Sequence, residues 1–143
     1  MSNDTYAGSL EDRARVARLA TVDPKYKPHV VPVVFVFDGT FYYVPLDEKT
    51  KRYKIEDLKR VKNIKQNPNV TLLVDEYHED WNRLHFVIIH GKASLVSKEG
   101  QDNSLLKTAH KLLFKKYPQY QTLGVGESCI IIRPEKIIRW RNK

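Results

Sequence analysis

The sequence has a single cysteine, Cys129, among 143 residues, so no intramolecular disulfide can brace it. Cys129 opens the run Cys129-Ile130-Ile131-Ile132, where a buried, inert thiol is expected, and a reducing cytoplasm suits such a chain. Long apolar runs are also missing. The longest, Val30 to Phe37, falls far short of the roughly 20 residues a spanning helix needs, and residues 1–10 are polar. Neither a membrane anchor nor secretion is expected. No internal repeat, low-complexity tract or Gly/Ser linker divides the chain, which reads as one domain over residues 1–143. A domain of that size buries roughly 68–70% of its unfolded surface and needs no staple.

Acidic residues are in deficit. Lys and Arg number 25 against 17 Asp and Glu, a formal +8 that points to anionic partners, with nucleic acid and phosphorylated cofactors both qualifying. The positive charge is clustered, because Lys49, Lys51, Arg52, Lys54, Lys59, Arg60, Lys62 and Lys65 follow one another closely.

Familiar catalytic signatures are absent as well. His29, His78, His85, His90 and His110 form no pair at metal-ligand spacing, and one cysteine cannot build a zinc pattern, so no metal site is expected. His85 and His90 are an odd number of positions apart and would point to opposite faces of a strand. Gly124-Val125-Gly126 lacks the third glycine and following helix of a dinucleotide fingerprint. No nucleophile elbow or phosphate-binding P-loop occurs.

What is present is a succession of strands. Ser9 can cap a first helix, with Asp12 three residues on and Leu10, Ala14 and Ala17 along one face. Ala20-Thr21-Val22 reads as a strand and Asp23-Pro24-Lys25 as a turn. His29 to Phe37 is β-branched and aromatic, breaks at the hairpin signal Asp38-Gly39, and takes Thr40 to Val44 as partner. Pro32 cannot donate to a ladder, which predicts an edge or bulged strand. A helix of about 15 residues follows, with Ile55, Leu58, Val61 and Ile64 as its apolar stripe and Asn67-Pro68 as its stop. Strands at Val70 to Asp75 and Leu84 to Val96 flank a polar loop, and Gly91 marks a bulge. Leu105, Leu106, Ala109, Leu112 and Leu113 define a third helix ending at Tyr117-Pro118. Ser128 to Arg133 and Ile137 to Trp140 complete the series, joined through Pro134. The pattern predicts a mainly β (α+β) fold, a small barrel of six to seven mostly antiparallel strands with two to three helices packed outside.

The ordered series resembles a known family. Pro28-His29-Val30-Val31-Pro32-Val33-Val34-Phe35, then Phe41-Tyr42-Tyr43-Val44, then the basic helix through Lys59-Arg60 to Asn67-Pro68 and the strand Asn69 to Val74 is similar to the split β-barrels of pyridoxamine-phosphate-oxidase-like proteins. Those proteins bind FMN or the deazaflavin coenzyme F420. The resemblance runs from about residue 10 to 140, and Trp81-Asn82-Arg83-Leu84 looks more like the deazaflavin-associated branch. It implies a homodimer with the cofactor at the subunit interface and hydride transfer to or from a small substrate. It also implies a cofactor site: Pro32 and Val33 as ring wall, Tyr43 and Val44 at the adjoining strand end, and Lys59 and Arg60 on the phosphate. Lys49 and Lys51 add to the positive field, and Trp81 covers the cofactor or contacts the partner. The +8 charge leans toward F420, with its polyglutamate tail. No catalytic acid or base is assigned. The ending Arg139-Trp140-Arg141-Asn142-Lys143 differs from that of true pyridoxamine-phosphate oxidases, which speaks against the vitamin substrate.

Two other readings fit the composition. One is a barrel for single-stranded nucleic acid, with Tyr42 and Tyr43 as stacking platforms. The other is a non-catalytic flavin carrier or sensor on the same fold.

Overall fold

The computed structural model describes residues 9–46, 54–100 and 103–142. Within them lie α1 (Leu10–Arg13), β1 (Ala17–Val22), β2 (Pro28–Val33), β3 (Val36–Phe37), β4 (Tyr42–Leu46), α2 (Lys59–Gln66), β5 (Asn69–Glu76), β6 (His85–Ser97), α3 (Ser104–Lys116), α4 (Tyr120–Leu123) and β7 (Ser128–Arg141). The strands form one antiparallel sheet in the order β2-β1-β5-β6-β7-β4-β3.

The two end strands of that sheet, β2 and β3, are consecutive in the chain and separated only by Val34 and Phe35. Three Cα steps of 3.8 Å span at most about 11 Å, so the sheet must curl until its edges nearly meet. The result is a split β-barrel, with the split at the β2–β3 corner. The sequence pattern reads His29 to Phe37 as one strand paired with Thr40 to Val44. The structure corrects this: the strand breaks at Val34-Phe35, β2 pairs with β1, and only β3 pairs with β4. Pro28 and Pro32 are tolerated because β2 is an end strand, as proline requires.

Barrel interior and exterior are packed separately. Leu19, Phe35, Val44, Leu72, Val87, Ile89, Ile130 and Ile132 fill the inside, with Val61 and Ile64 of α2 among them. A second cluster, including Tyr43, Cys129 and Ile131, lies beneath Leu106, Ala109 and Leu113 of α3. Every residue of β4 is consequently buried. Cys129 is buried as expected, and that burial raises its thiol to about 12.

Ser9 caps α1 by accepting from the Asp12 backbone N–H at 3.3 Å, but the helix lasts one turn and Ala17 already belongs to β1. The basic helix is shorter than its apolar stripe suggests. Ile55 lies in a separate 3₁₀ turn, Ile55–Asp57, and α2 proper begins at Lys59, ending as expected at Asn67. Residues 128–141 form one strand rather than two, passing through Pro134. Its register against β6 shifts between His90 and Gly91, but the extra residue is Glu135 of β7, so the bulge lies opposite Gly91 rather than in its own strand as the sequence suggests.

Gly91 is required there by close approach. A Cβ at this position would lie 2.4 Å from the Arg133 carbonyl oxygen. Gly91→Ala is therefore expected to destabilise the fold by about 1–3 kcal/mol, the usual cost of overpacking, seen as a lower urea midpoint. An unchanged midpoint would mean that the bulge yields freely.

Candidate functional site

The barrel interior is filled with side chains, so a ring-sized ligand has to bind outside it. On its outer side the sheet has one broad stretch that the described residues leave uncovered. Following the register, Pro32 lies opposite Arg18, Arg18 opposite Leu73, Leu73 opposite Ile88 and Ile88 opposite Ile138. Residues directly opposite share a face. The neighbouring row runs Val30, Ala20, Thr71, His90 and Lys136, and the next pairs Asp75 with Phe86 and Phe86 with Trp140. Val30 is 59% exposed, Ile138 37% and Trp140 41%. Among the described residues α3 packs against β3, β6 and β7, whereas α1 and α2 contribute Leu10, Val61 and Ile64 to the interior. Five polar side chains, Arg18, Thr71, Asp75, His90 and Lys136, interrupt the apolar ones on this face. Arg18 pairs with Asp75 at 2.9 Å, and the Thr71 hydroxyl meets His90 Nδ1 at 2.9 Å.

The cationic start of α2 lies beside the β1–β2 turn, at one end of this face. The buried Asn63 side chain donates to Thr21 Oγ1 at 2.9 Å and pins the helix to β1. Lys59 is half-exposed and reaches Asp23 at 3.6 Å, and Arg60 is half-buried. The backbone N–H of Lys27 chiefly, then that of Lys25 and the Lys59 charge, outweigh partial burial and hold the Asp23 carboxyl below its ordinary range. Leu58 stands at the N-cap and supplies no side-chain hydrogen bond, and the first turn holds no acid. Uncapped N–H groups at a helix start, with two cations on its first turn, form a suitable cradle for a phosphate.

The residues singled out from sequence are dispersed in this frame. Pro32 lies on the uncovered face, while Val33 is in the core. Tyr43 and Val44 are fully buried, one beneath α3 and one inside the barrel, so their side chains offer a ligand no surface in this chain. The same burial removes Tyr42 and Tyr43 as stacking platforms for nucleic acid. Lys49 and Lys51 lie outside the described residues. Trp81 is 64% exposed on a 3₁₀ turn, its indole N–H donating to the Tyr77 hydroxyl at 3.3 Å. The Asn142 amide donates to its carbonyl at 2.8 Å, tying the loop to the end of β7. Trp140 stacks on Phe86 with ring centroids 5.3 Å apart.

One polar cluster has no signal in the sequence. Glu11 is fully buried, receives two hydrogen bonds from Arg139 at 2.8 and 2.5 Å, and accepts another from the Tyr42 hydroxyl at 2.9 Å. Burial alone would raise its carboxyl. The bonds from Arg139 and Tyr42, with the Arg139 charge, prevail and keep it below 4.5. Lys116 donates to the Glu11 carbonyl at 2.8 Å and the Phe35 carbonyl at 3.1 Å, and burial with the nearby Arg15 charge lowers its amine to about 8. Glu11, Asp12, Arg15, Phe37 and Lys116 line a cleft of about 490 Å³ beside this cluster.

Comparison with known proteins agrees with this architecture. The chain belongs to the pyridoxamine 5'-phosphate oxidase family, whose sequence profile matches residues 6–141. No curated protein sequence matches it. Among solved structures it is similar to the heme storage protein HutZ of Vibrio cholerae, at 16% identity and a TM-score of 0.73, covering 99% of this chain and 98% of that one. A conserved hypothetical protein of Mycobacterium tuberculosis gives 18% identity and a TM-score of 0.72, covering 99% and 85%. An FAD-binding protein of Mesorhizobium loti gives 20% identity and a TM-score of 0.63, covering 96% and 90%. Family profile and structural likeness thus agree on a split β-barrel of this family.

The buried carboxylate makes a direct test of the cluster. Glu11→Gln leaves Arg139 without its counter-charge and is expected to cost toward the lower end of the roughly 3–5 kcal/mol of a broken buried pair, since Arg139 is partly exposed. The sign with pH follows. Glu11 titrates below 4.5 when folded, so its contribution is complete above about 4.5 and is lost as pH falls further. Urea unfolding at neutral and acidic pH should show the variant less stable at pH 7, with a shallower acid loss than the parent. Equal profiles would contradict the assignment.

Proposed function

We propose that this protein is an oxidoreductase that holds FMN or F420 at the interface of a homodimer and transfers a hydride between the cofactor and a small substrate. The observation that carries the reading is the uncovered apolar sheet face ending at the uncapped, cationic start of α2. A tricyclic ring needs a flat apolar wall, which Leu73, Ile88 and Ile138 would provide on adjacent strands, with Pro32 beyond Arg18. A second copy laid on the same face would exclude water from the ring. Lys59 and Arg60 would hold the phosphate, arginine through paired bonds and lysine as a point charge. Trp81, on its loop, is positioned to cover a ligand or meet the partner. When bound, the cofactor supplies the hydride chemistry, and the chain's own part is binding, orientation and exclusion of water. The formal +8 favours F420 over FMN.

Charge-assisted bonds to phosphate are worth about 1.5–3 kcal/mol, so Arg60→Ala and Lys59→Ala should each weaken cofactor binding roughly ten- to a hundredfold by fluorescence titration. Lys65→Ala, at an exposed position in the last turn of α2, should bind like the parent. Equal affinity in all three variants would return the basic cluster to a solvated helix surface.

The dimer is tested separately. Ile138→Lys puts a charge on the β7 margin of the uncovered face, at a partly exposed site. Sedimentation should find the parent dimeric and the variant shifted toward monomer with weakened cofactor binding. A variant that dimerises and binds like the parent would place the interface elsewhere.

A further inference from the structure

The start of β6 and the end of β7 meet α1 at a small pocket of about 110 Å³, apart from the α2 cradle. Ser9, Arg13, His85, Arg139 and Arg141 line it. His85 and Arg141 are direct cross-strand partners, and Arg139 lies two residues back on the same face of β7. A concentration of positive charge this dense needs neutralisation. Arg139 has Glu11, and Arg13 has Glu76 at 3.2 Å, which His78 also reaches at 3.2 Å. Arg141 forms no ion pair among the described residues. His85 Nδ1 is buried from solvent and has no hydrogen-bond partner among the described residues.

A buried ring nitrogen without a partner calls for an explanation, and an unneutralised arginine directly opposite it suggests one. We infer that this pocket binds a small oxyanion, a phosphate or a carboxylate, held by Arg141 with His85 as proton-bearing companion. The volume fits, since at about 30 Å³ per water the pocket has the space of roughly three to four waters, enough for one small oxyanion. This site does not depend on the flavin reading.

Proton linkage follows from the groups around His85. Arg139 and Arg141 face it from β7, Arg13 and Ser9 from α1, and Glu76 from β5. Burial first, then the Arg141, Arg13 and Arg139 charges, keep its imidazole below 6.5, against a weaker opposite pull from Glu76. An anion in the pocket cancels that repulsion and stabilises the imidazolium. Binding therefore takes up a proton, and by reciprocity the anion binds more tightly as pH falls.

The test is an NMR pH titration of the His85 ring in the full chain without cofactor, at constant ionic strength, with chloride, inorganic phosphate or acetate. Phosphate should raise the His85 pKa by about one unit relative to chloride, equivalent to roughly tenfold tighter binding to the protonated form. A comparable shift with acetate would extend the site to carboxylates, and a shift with phosphate alone would restrict it to phosphate. Arg141→Gln, at an exposed strand end, should abolish the response while the fold persists. Lys98→Gln, an exposed position paired only with Glu127, should leave it intact. An unchanged His85 pKa in both anions would overturn the inference. So would a response that survives Arg141→Gln, or one that Lys98→Gln removes equally.

Discussion

A carboxylate buried as completely as Glu11 cannot be left without counter-charge, and much of this barrel is arranged around that constraint. Arg139 comes from β7 and Tyr42 from its neighbour β4, so one side chain joins α1 to two adjacent strands. The seam is fastened nearby. Where the chain turns from β2 into β3, the Phe35 N–H donates to the Tyr117 hydroxyl at 3.2 Å and the Phe35 carbonyl accepts from Lys116 at 3.1 Å. Backbone groups at a corner between strands have lost their ladder partners, and side chains at the end of α3 replace them. Lys116 also reaches the Glu11 carbonyl, so seam, first helix and third helix form one connected network.

Closure has a consequence for function. Once Leu19, Leu72, Ile89 and Ile132 pack the inside, the barrel has no internal cavity for a ring, and ligand chemistry is displaced to its surface. One outer region is taken by α3. The other, from β2 across to the C-terminal half of β7, keeps apolar side chains in water, which a monomer seldom does over a continuous face. The charge is distributed to match, with cations at the start of α2 on one side and arginines at the end of β7 on another.

Local signals in the sequence were accurate where a single residue imposes a backbone requirement. Pro32 requires an edge and Asn67-Pro68 a helix stop, and the fold supplies both, while Gly91 signals a bulge whose extra residue lies on the facing strand β7. The helical spacing of Leu106, Ala109 and Leu113 likewise identified α3. Pairing was harder. Asp38-Gly39 correctly marks a hairpin, but nothing local shows that the strand before it breaks at Val34-Phe35 to change neighbours. Pro134 reads as a strand boundary, yet β7 runs on through it, with the bulged residue Glu135 directly after it in the same strand. Of the candidate site, Lys59, Arg60 and Pro32 lie on accessible surface, whereas Tyr43 and Val44 belong to a strand covered on both faces. Glu11 and Arg139 lie at opposite ends of the chain, a contact that only the fold creates.

The proposed seat for a tricyclic flavin-type ring is the outer sheet face. The most direct measurement is the absorption spectrum of the purified full chain titrated in turn with FMN, F420 and hemin. The account expects one of the two flavin-type cofactors to saturate at one per subunit, with its long-wavelength band shifted by transfer to an apolar wall. Saturable binding of hemin with neither FMN nor F420 able to bind would contradict it.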